Sequence, residues 1–385
     1  MNPLFADLPT SIFEAMSIAA RERGAVNLGQ GFPDFGWPED VLARAAEALT
    51  SGSNQYPPMR GLAELRQAVT AHYGHHQRLK VDPNQVIVTS GATEALASSL
   101  LALIAPGDEV VLFQPLYDAY LPLVLRAGGV PRLVHLTPPD WRITRDGLAE
   151  AFTDGTRLVL FNNPHNPTAR LFDAEELALV GEAAARADAL ILADEVWEHL
   201  VFDPSRFVSI ASLPGMADRV VKIGSAGKIF SMTGWKVGWV MAPPALAETI
   251  AKAHQFVTFS TPPNLQSAAA YGLAKDDAYF EAMRAGFAAP RDTMRRALEA
   301  AGYATLACEG TYFLCVDLAA SGIALSDADF CDRAVAEAGV AAIPVSAFCA
   351  EDSVTNVIRL CFAKKAETLQ AGVAALAEAR KMFAG

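Results

Sequence analysis

Between about residue 85 and residue 245 the chain alternates short, uninterrupted apolar runs with stretches of helical periodicity. "QVIVTS" is followed by "GATEALASSLLALIA", and "DEVVLF" by "LYDAYLPLVLRAG". "TRLVLFN" precedes "DAEELALVGEAAARA", and "ALILADE", "RVVKIGS" and "VGWVMA" come after. Strands that are apolar throughout are buried on both faces, the condition of a parallel sheet covered by helices. This stretch predicts an α/β domain. After Pro290 the texture changes. "RDTMRRALEAAG", "DADFCDRAVAEAG" and "AETLQAGVAALAEARKMF" read as helices, with "GTYFLCVDL" and "VIRLCFA" as strands between them. A smaller α+β domain is expected there, joined by the N-terminal segment. The expected division is 42–285 for the large domain and 1–41 with 286–385 for the small one.

Composition narrows the class. The chain has 385 residues, 52% of them hydrophobic and 19% charged, which suits large buried cores and excludes disorder. A net charge of −12 opposes nucleic-acid binding and favours a soluble, cytoplasmic protein. No apolar run reaches the roughly 18 residues of a membrane span. "ALASSLLALIAP" comes nearest and is too short, and the first residues lack the basic region and apolar run of a secretory signal. All five cysteines lie in the last fifth of the chain without a C-x-x-C pair, so free buried thiols are expected rather than disulfides or a metal site.

The candidate chemistry centres on "GSAGKIFSMTGWK", where small residues surround Lys228 and Lys236 follows eight positions later. A phosphate-binding P-loop is ruled out by spacing, because Gly224 and Gly227 enclose two residues where that motif needs four. "TSGATEAL" follows a strand and opens a helix, so the N–H groups of Gly91, Ala92 and Thr93 are free to bind an anion. "NNPHNP" makes a rigid, amide-rich loop at the sheet edge. In "ALILADEVW", Asp194 ends a buried strand, where a carboxylate needs a cation or a strong donor. Adjacent strand residues face opposite ways, so only one of Asp194 and Glu195 should meet a ligand. A ligand with a phosphate, an electrophile for lysine and a cationic atom for aspartate satisfies these pieces together. Pyridoxal 5′-phosphate has all three.

Motifs along almost the whole chain point the same way: "VNLGQGFPDF", "NQYPPMRG", "NNPHNPTARLF", "SIASLPGM", "GSAGKIFSMTGWKVGWV", "AAIPVSAF" and "VIRLCFAKKAETLQA". The sequence resembles the fold type I, class I pyridoxal-phosphate aminotransferases, most of all their kynurenine/glutamine/methionine branch. That resemblance implies a mainly parallel central sheet flanked by helices, with a smaller α+β domain. It implies that Lys228 is the Schiff-base lysine and proton carrier, and that Asp194 keeps the ring nitrogen protonated. Asn166 would bond the ring oxygen and Tyr117 would stack on the ring. Gly91, Ala92, Thr93, Ser225 and Lys236 would hold the phosphate.

By the same resemblance, Tyr56 would reach the phosphate of a neighbouring subunit, which implies a homodimer with shared active sites. Arg359 would grip the substrate α-carboxylate, with Gly31, Asn166 and Phe259 bordering the substrate. One position departs from the pattern: relatives usually read D-E-V-Y, and this chain has Trp197, whose indole N–H would donate to the cofactor ring oxygen in place of the phenol. His165 and His199 lie beside the motifs but are read as supporting residues, and Phe32 and Phe256 could be plain core.

The expected activity is transfer of an α-amino group from a neutral amino acid to a 2-oxo acid. "QFVTFSTPPN" offers Phe259 and Ser260 but no basic residue for a second carboxylate; Arg60 in "PPMRG" is the residue best able to upset that expectation. Two rivals share the fold: a cysteine-S-conjugate carbon–sulfur β-lyase, and a cofactor-sensing transcription regulator, which would carry a basic domain ahead of "VNLGQGFPDF".

Overall fold

The computed structural model describes residues 3–6, 8–351 and 354–384. Seven strands form the central sheet: β1 (Val86–Ser90), β2 (Glu109–Gln114), β3 (Val130–His135), β4 (Thr156–Asn162), β5 (Leu190–Asp194), β6 (Val220–Ser225) and β7 (Val237–Met241). Their order is β1-β7-β6-β5-β4-β2-β3, with β7 antiparallel to both neighbours and every other pairing parallel. Every residue of β6 and β7 is buried, as expected for mainly apolar strands covered on both faces, and β6 buries Lys222 along with its apolar neighbours.

The smaller sheet is antiparallel and contains β8 (Ala304–Thr305), β9 (Phe313–Asp317), β10 (Ile343–Pro344) and β11 (Val357–Cys361), in the order β10-β11-β9-β8. Val26 and Asn27 pair in parallel with Val340 and Ala341, so the N-terminal segment does join the C-terminal part of the chain.

One element departs from the reading of the sequence. The helix Asp277–Ala300 runs unbroken through Pro290, and the expected boundary at 285/286 falls inside it. The proline removes one N–H and leaves a carbonyl four residues earlier without its usual partner. That residue is Gly286, which is exposed, so water can serve the carbonyl. None of the five cysteines forms a disulfide among the described residues, and four of them are buried. No helix among the described residues is long and apolar enough to cross a membrane.

Candidate active site

The carboxyl edge of the central sheet gathers the predicted residues. Asp194 closes β5 in register with Asn162 on β4 and Ile223 on β6. Its carboxylate is buried; Tyr120 donates its hydroxyl to Oδ2 at 2.7 Å, and the Val196 N–H lies 3.4 Å from Oδ1. Burial pushes its pKa up, and the Tyr120 bond, the Val196 bond and the charge of Lys228 resist that rise. Glu195 points to the other side of the sheet, where it accepts from Ser209 Oγ at 2.6 Å, from the Ile210 N–H at 3.0 Å and from Lys222. Strand alternation thus separates the two acids as expected.

β6 runs straight into the short helix Ala226–Ile229, which carries Lys228. Its Nζ lies 3.4 Å from the Tyr312 hydroxyl and 4.5 Å from the centre of the Trp197 ring. Among the described residues no carboxylate comes within ion-pair distance of it. Burial lowers its pKa to about 8; attraction to Asp194 works against this, and repulsion from Arg359 and Lys236 adds to it.

β1 passes directly into the helix Gly91–Leu103, and no side chain caps that helix. Gly91 has φ +72°, and a Cβ there would stand 3.3 Å from Lys236 Nζ. A Cβ on Gly238 would lie 2.7 Å from the Gly91 carbonyl carbon, so only glycine lets β7 pass behind this turn. Open amides, the hydroxyls of Thr93 and Ser225, and the Lys236 amine converge here. Such a convergence suits a dianion. A cavity of about 170 Å³ joins the cradle, the lysine and the aspartate. Every expected cofactor residue except Tyr56 lines it: Gly91, Ala92, Thr93, Tyr117, Asn166, Asp194, Trp197, Ser225, Lys228 and Lys236.

Arg359, in the middle of β11, is 1% exposed. It donates to Asn166 Oδ1 at 2.9 Å and to the Gly29 carbonyl at 3.3 Å, while its Nε has no acceptor. Its guanidinium lies 3.8 Å from the centre of the Phe313 ring, with Phe348 and Phe13 at 4.9 and 5.0 Å. Burial lowers its pKa to about 10. A buried guanidinium without a carboxylate is a costly arrangement in an isolated chain and a ready one for an incoming anion. Gly31 borders it: a Cβ there would meet the Phe313 ring at 3.0 Å and Arg359 Nη2 at 3.7 Å.

Arg359 and Gly31 do not themselves line this cavity, and Tyr56 and Phe259 also stay outside it within their own chain. Tyr56 is 82% exposed and packs edge-on against Phe259 with ring centres 5.6 Å apart. Phe32 and Phe256, which could have been core, are exposed. His165 and His199 are buried and bonded to Thr168 and His72 at 2.8 and 2.7 Å, away from the cavity lining. Three residues escaped the sequence reading. Asn162 donates to the Asp194 carbonyl and accepts from the Asn166 N–H, each at 2.8 Å. Tyr120 holds the Asp194 carboxylate, and Tyr312 bridges Lys228 and the Gly31 carbonyl. Only Asn162, the first letter of "NNPHNP", left a usable signal.

Comparison with known proteins places this geometry. The family model "Aminotransferase class I and II" matches residues 23–376. A methionine aminotransferase of Escherichia coli (strain K12) is 40% identical over 379 residues, spanning 96% of this chain and 97% of the relative. A probable N-succinyldiaminopimelate aminotransferase of Mycobacterium tuberculosis (strain H37Rv) is also 40% identical over 376 residues, 94% of each chain. The solved structure of an E. coli protein with methionine aminotransferase function matches at TM-score 0.94 and 39% identity, over 97% of this chain and 98% of the other. With a likeness that runs nearly from end to end and a lysine, a carboxylate and an anion cradle meeting at one sheet edge, the chain belongs to the class I and II aminotransferases.

Proposed function

We propose that this aminotransferase takes its amino group from an amino acid with an uncharged side chain, of the methionine, glutamine, aromatic or kynurenine type, and passes it to a 2-oxo acid. The family works with pyridoxal 5′-phosphate, and the donor set fits that group. The amide and hydroxyl cradle with Lys236 suits its phosphate, Asp194 its ring nitrogen, Asn166 its ring oxygen, Tyr117 its face and Lys228 its aldehyde. When bound, the cofactor supplies an aldehyde that takes up the amine and a ring that accepts the electrons left by the departing α-proton.

The chain's residues do the rest. Lys228 Nζ receives the proton from the substrate Cα and returns it; a pKa of about 8 keeps both protonation states accessible near neutral pH. Arg359 exchanges its bond to Asn166 for the substrate α-carboxylate, which the planar fork can hold bidentately. Trp197 gives Lys228 an aromatic face instead of a phenol.

The observation that carries the substrate preference is the inventory of cations. Lys228 and Lys236 are the cations lining the cavity among the described residues, and both have other tasks. Arg60 is tied to Glu248 and, at 2.9 Å, to the Asn84 carbonyl. A second carboxylate would therefore enter the site without a cation of its own to pair with. The E. coli relative supports a methionine-type donor. The mycobacterial relative's name denotes a polycarboxylate, so its substrate belongs in the test. The measurement is kcat/KM for methionine, phenylalanine, glutamine and kynurenine against aspartate and N-succinyldiaminopimelate, under one 2-oxo acid. Neutral donors should lead. A clear lead for either acidic donor refutes the preference.

The exposed aromatics Tyr56, Phe256 and Phe259 support a homodimer in which Tyr56 serves the other subunit's cradle. Mixed Tyr56→Ala and Lys228→Ala subunits should then recover activity beyond the sum of the parents. No recovery despite proven subunit exchange counts against sharing. The net charge of −12 fits a cytoplasmic enzyme of small-molecule metabolism without a nucleic-acid partner.

A further inference from the structure

Four of the chain's seven histidines, His72, His75, His76 and His199, cluster around the helix Ala63–Gln77, and none of them lines the cavity. His75 and His76 belong to the last turn of that helix. Asp277 opens the long helix Asp277–Ala300, and its carboxylate meets them there. His75 Nε2 lies 2.9 Å and His76 Nδ1 3.7 Å from Asp277 Oδ1, and one ligand atom from each residue falls within 4.8 Å of the others.

We propose that His75, His76 and Asp277 form a binding site for a divalent transition-metal ion of the zinc type, which joins the end of one helix to the start of the other. Two imidazole nitrogens and one carboxylate oxygen are a common donor set for zinc, with water in the fourth position. Bonds of about 2.0–2.2 Å in a tetrahedral shell separate the ligand atoms by roughly 3.3–3.5 Å. The two histidine–aspartate spacings lie on both sides of that value, and the third is within 4.8 Å, so side-chain rotations can reach it.

The site is also supported from behind. His76 is held edge-on against Phe280, with ring centres 5.0 Å apart, and lies 4.3 Å from the His72 ring. His72 is fixed in turn. Its Nδ1 donates to the Leu273 carbonyl at 3.0 Å, which leaves Nε2 to accept from His199 Nε2 at 2.7 Å. One side of the candidate shell is thus rigid, and the other, His75 and Asp277, is open to solvent. Arg284 is the cation close enough to oppose a metal ion, and Glu281 and Asp277 both attract it. The plainer reading is a surface hydrogen bond between His75 and Asp277, which needs no second imidazole.

The test is titration of the holoenzyme with zinc chloride against a chromophoric chelator, followed by thermal unfolding with and without zinc. Wild type should bind one ion that His75→Gln fails to bind, and zinc should raise its Tm but not that of the variant. Asp277→Asn should weaken binding at least about tenfold, since loss of a direct ligand should cost no less than loss of an outer-shell partner. Both substituted positions are exposed, so the variants should fold. Cobalt in place of zinc should give the visible absorption of a four-coordinate ion. Failure of wild type to bind one equivalent would overturn the site. So would binding that survives both substitutions, because the ion would then sit elsewhere.

Discussion

Lys222 and Lys228 stand six positions apart in one strand-to-helix run, and their surroundings oppose each other. Lys222 lies under the sheet between Glu195 and Glu198, with the Glu198 carboxylate 2.7 Å from Nζ and the Tyr73 ring centre at 5.1 Å. Burial alone would favour its neutral form, but the two carboxylates outweigh burial and its pKa rises. Lys228 opens onto the cavity without a carboxylate in contact, and its pKa falls to about 8. The acids repeat the contrast. Glu195 is satisfied by Lys222, Ser209 and Ile210, while Asp194 has a phenol and one long amide contact. Where the chain neutralises its own buried charge, the group holds the fold together. Where it leaves charge uncompensated, the group awaits a ligand.

Exchanging the fates of the two lysines tests this contrast most severely. Lys228→Ala should abolish turnover and leave thermal unfolding close to wild type, because no ion pair is broken. Measurable multiple turnover would remove this lysine from the chemistry. Lys222→Met should do the reverse. It leaves two carboxylates buried together and should lower stability by about 3–5 kcal/mol. Urea unfolding reads that loss; a drop below about 1 kcal/mol would show the network to be dispensable.

Arg359→Lys is the next largest change. It keeps the charge and loses the fork, so it should forfeit a charge-assisted bond worth about 1.5–3 kcal/mol. That corresponds to a fall in kcat/KM of roughly ten- to 150-fold, similar for all donors because every donor has an α-carboxylate. Losses confined to one donor would mean that Arg359 meets side chains instead. Glu248→Gln should have the smallest effect. It frees Arg60 from an exposed pair worth less than about 1 kcal/mol. The ratio of aspartate to methionine turnover should rise slightly while methionine kinetics hold. A ratio that does not move would place Arg60 out of reach of the pocket.

Much of this site could be read from the sequence because strand ends mark it. Asp194, Lys228 and the Gly91 turn each follow an apolar run directly, so a buried strand delivers them to the same edge. The supporting shell could not be read that way. Tyr120 lies 74 positions from Asp194, and Tyr312 lies 84 from Lys228, distances that no local periodicity records. Lys222 looks like an interruption of an apolar strand until Glu195 and Glu198 are placed beneath it. The passage of the helix through Pro290 was also hidden, since it depends on where the Gly286 carbonyl faces.

The central claim is that missing counter-charge, rather than burial alone, separates the reactive lysine from the structural one. Its most direct test is NMR titration of isotope-labelled lysine amines in the cofactor-free protein, with Lys228→Ala and Lys222→Met spectra providing assignments. Lys228 has a depressed pKa, so its neutral form should grow as pH rises through about 8, well below the ordinary lysine value. Lys222 should remain protonated throughout that range. A Lys228 midpoint near the usual value of about 10.4, or a Lys222 that loses its proton first, would contradict the account.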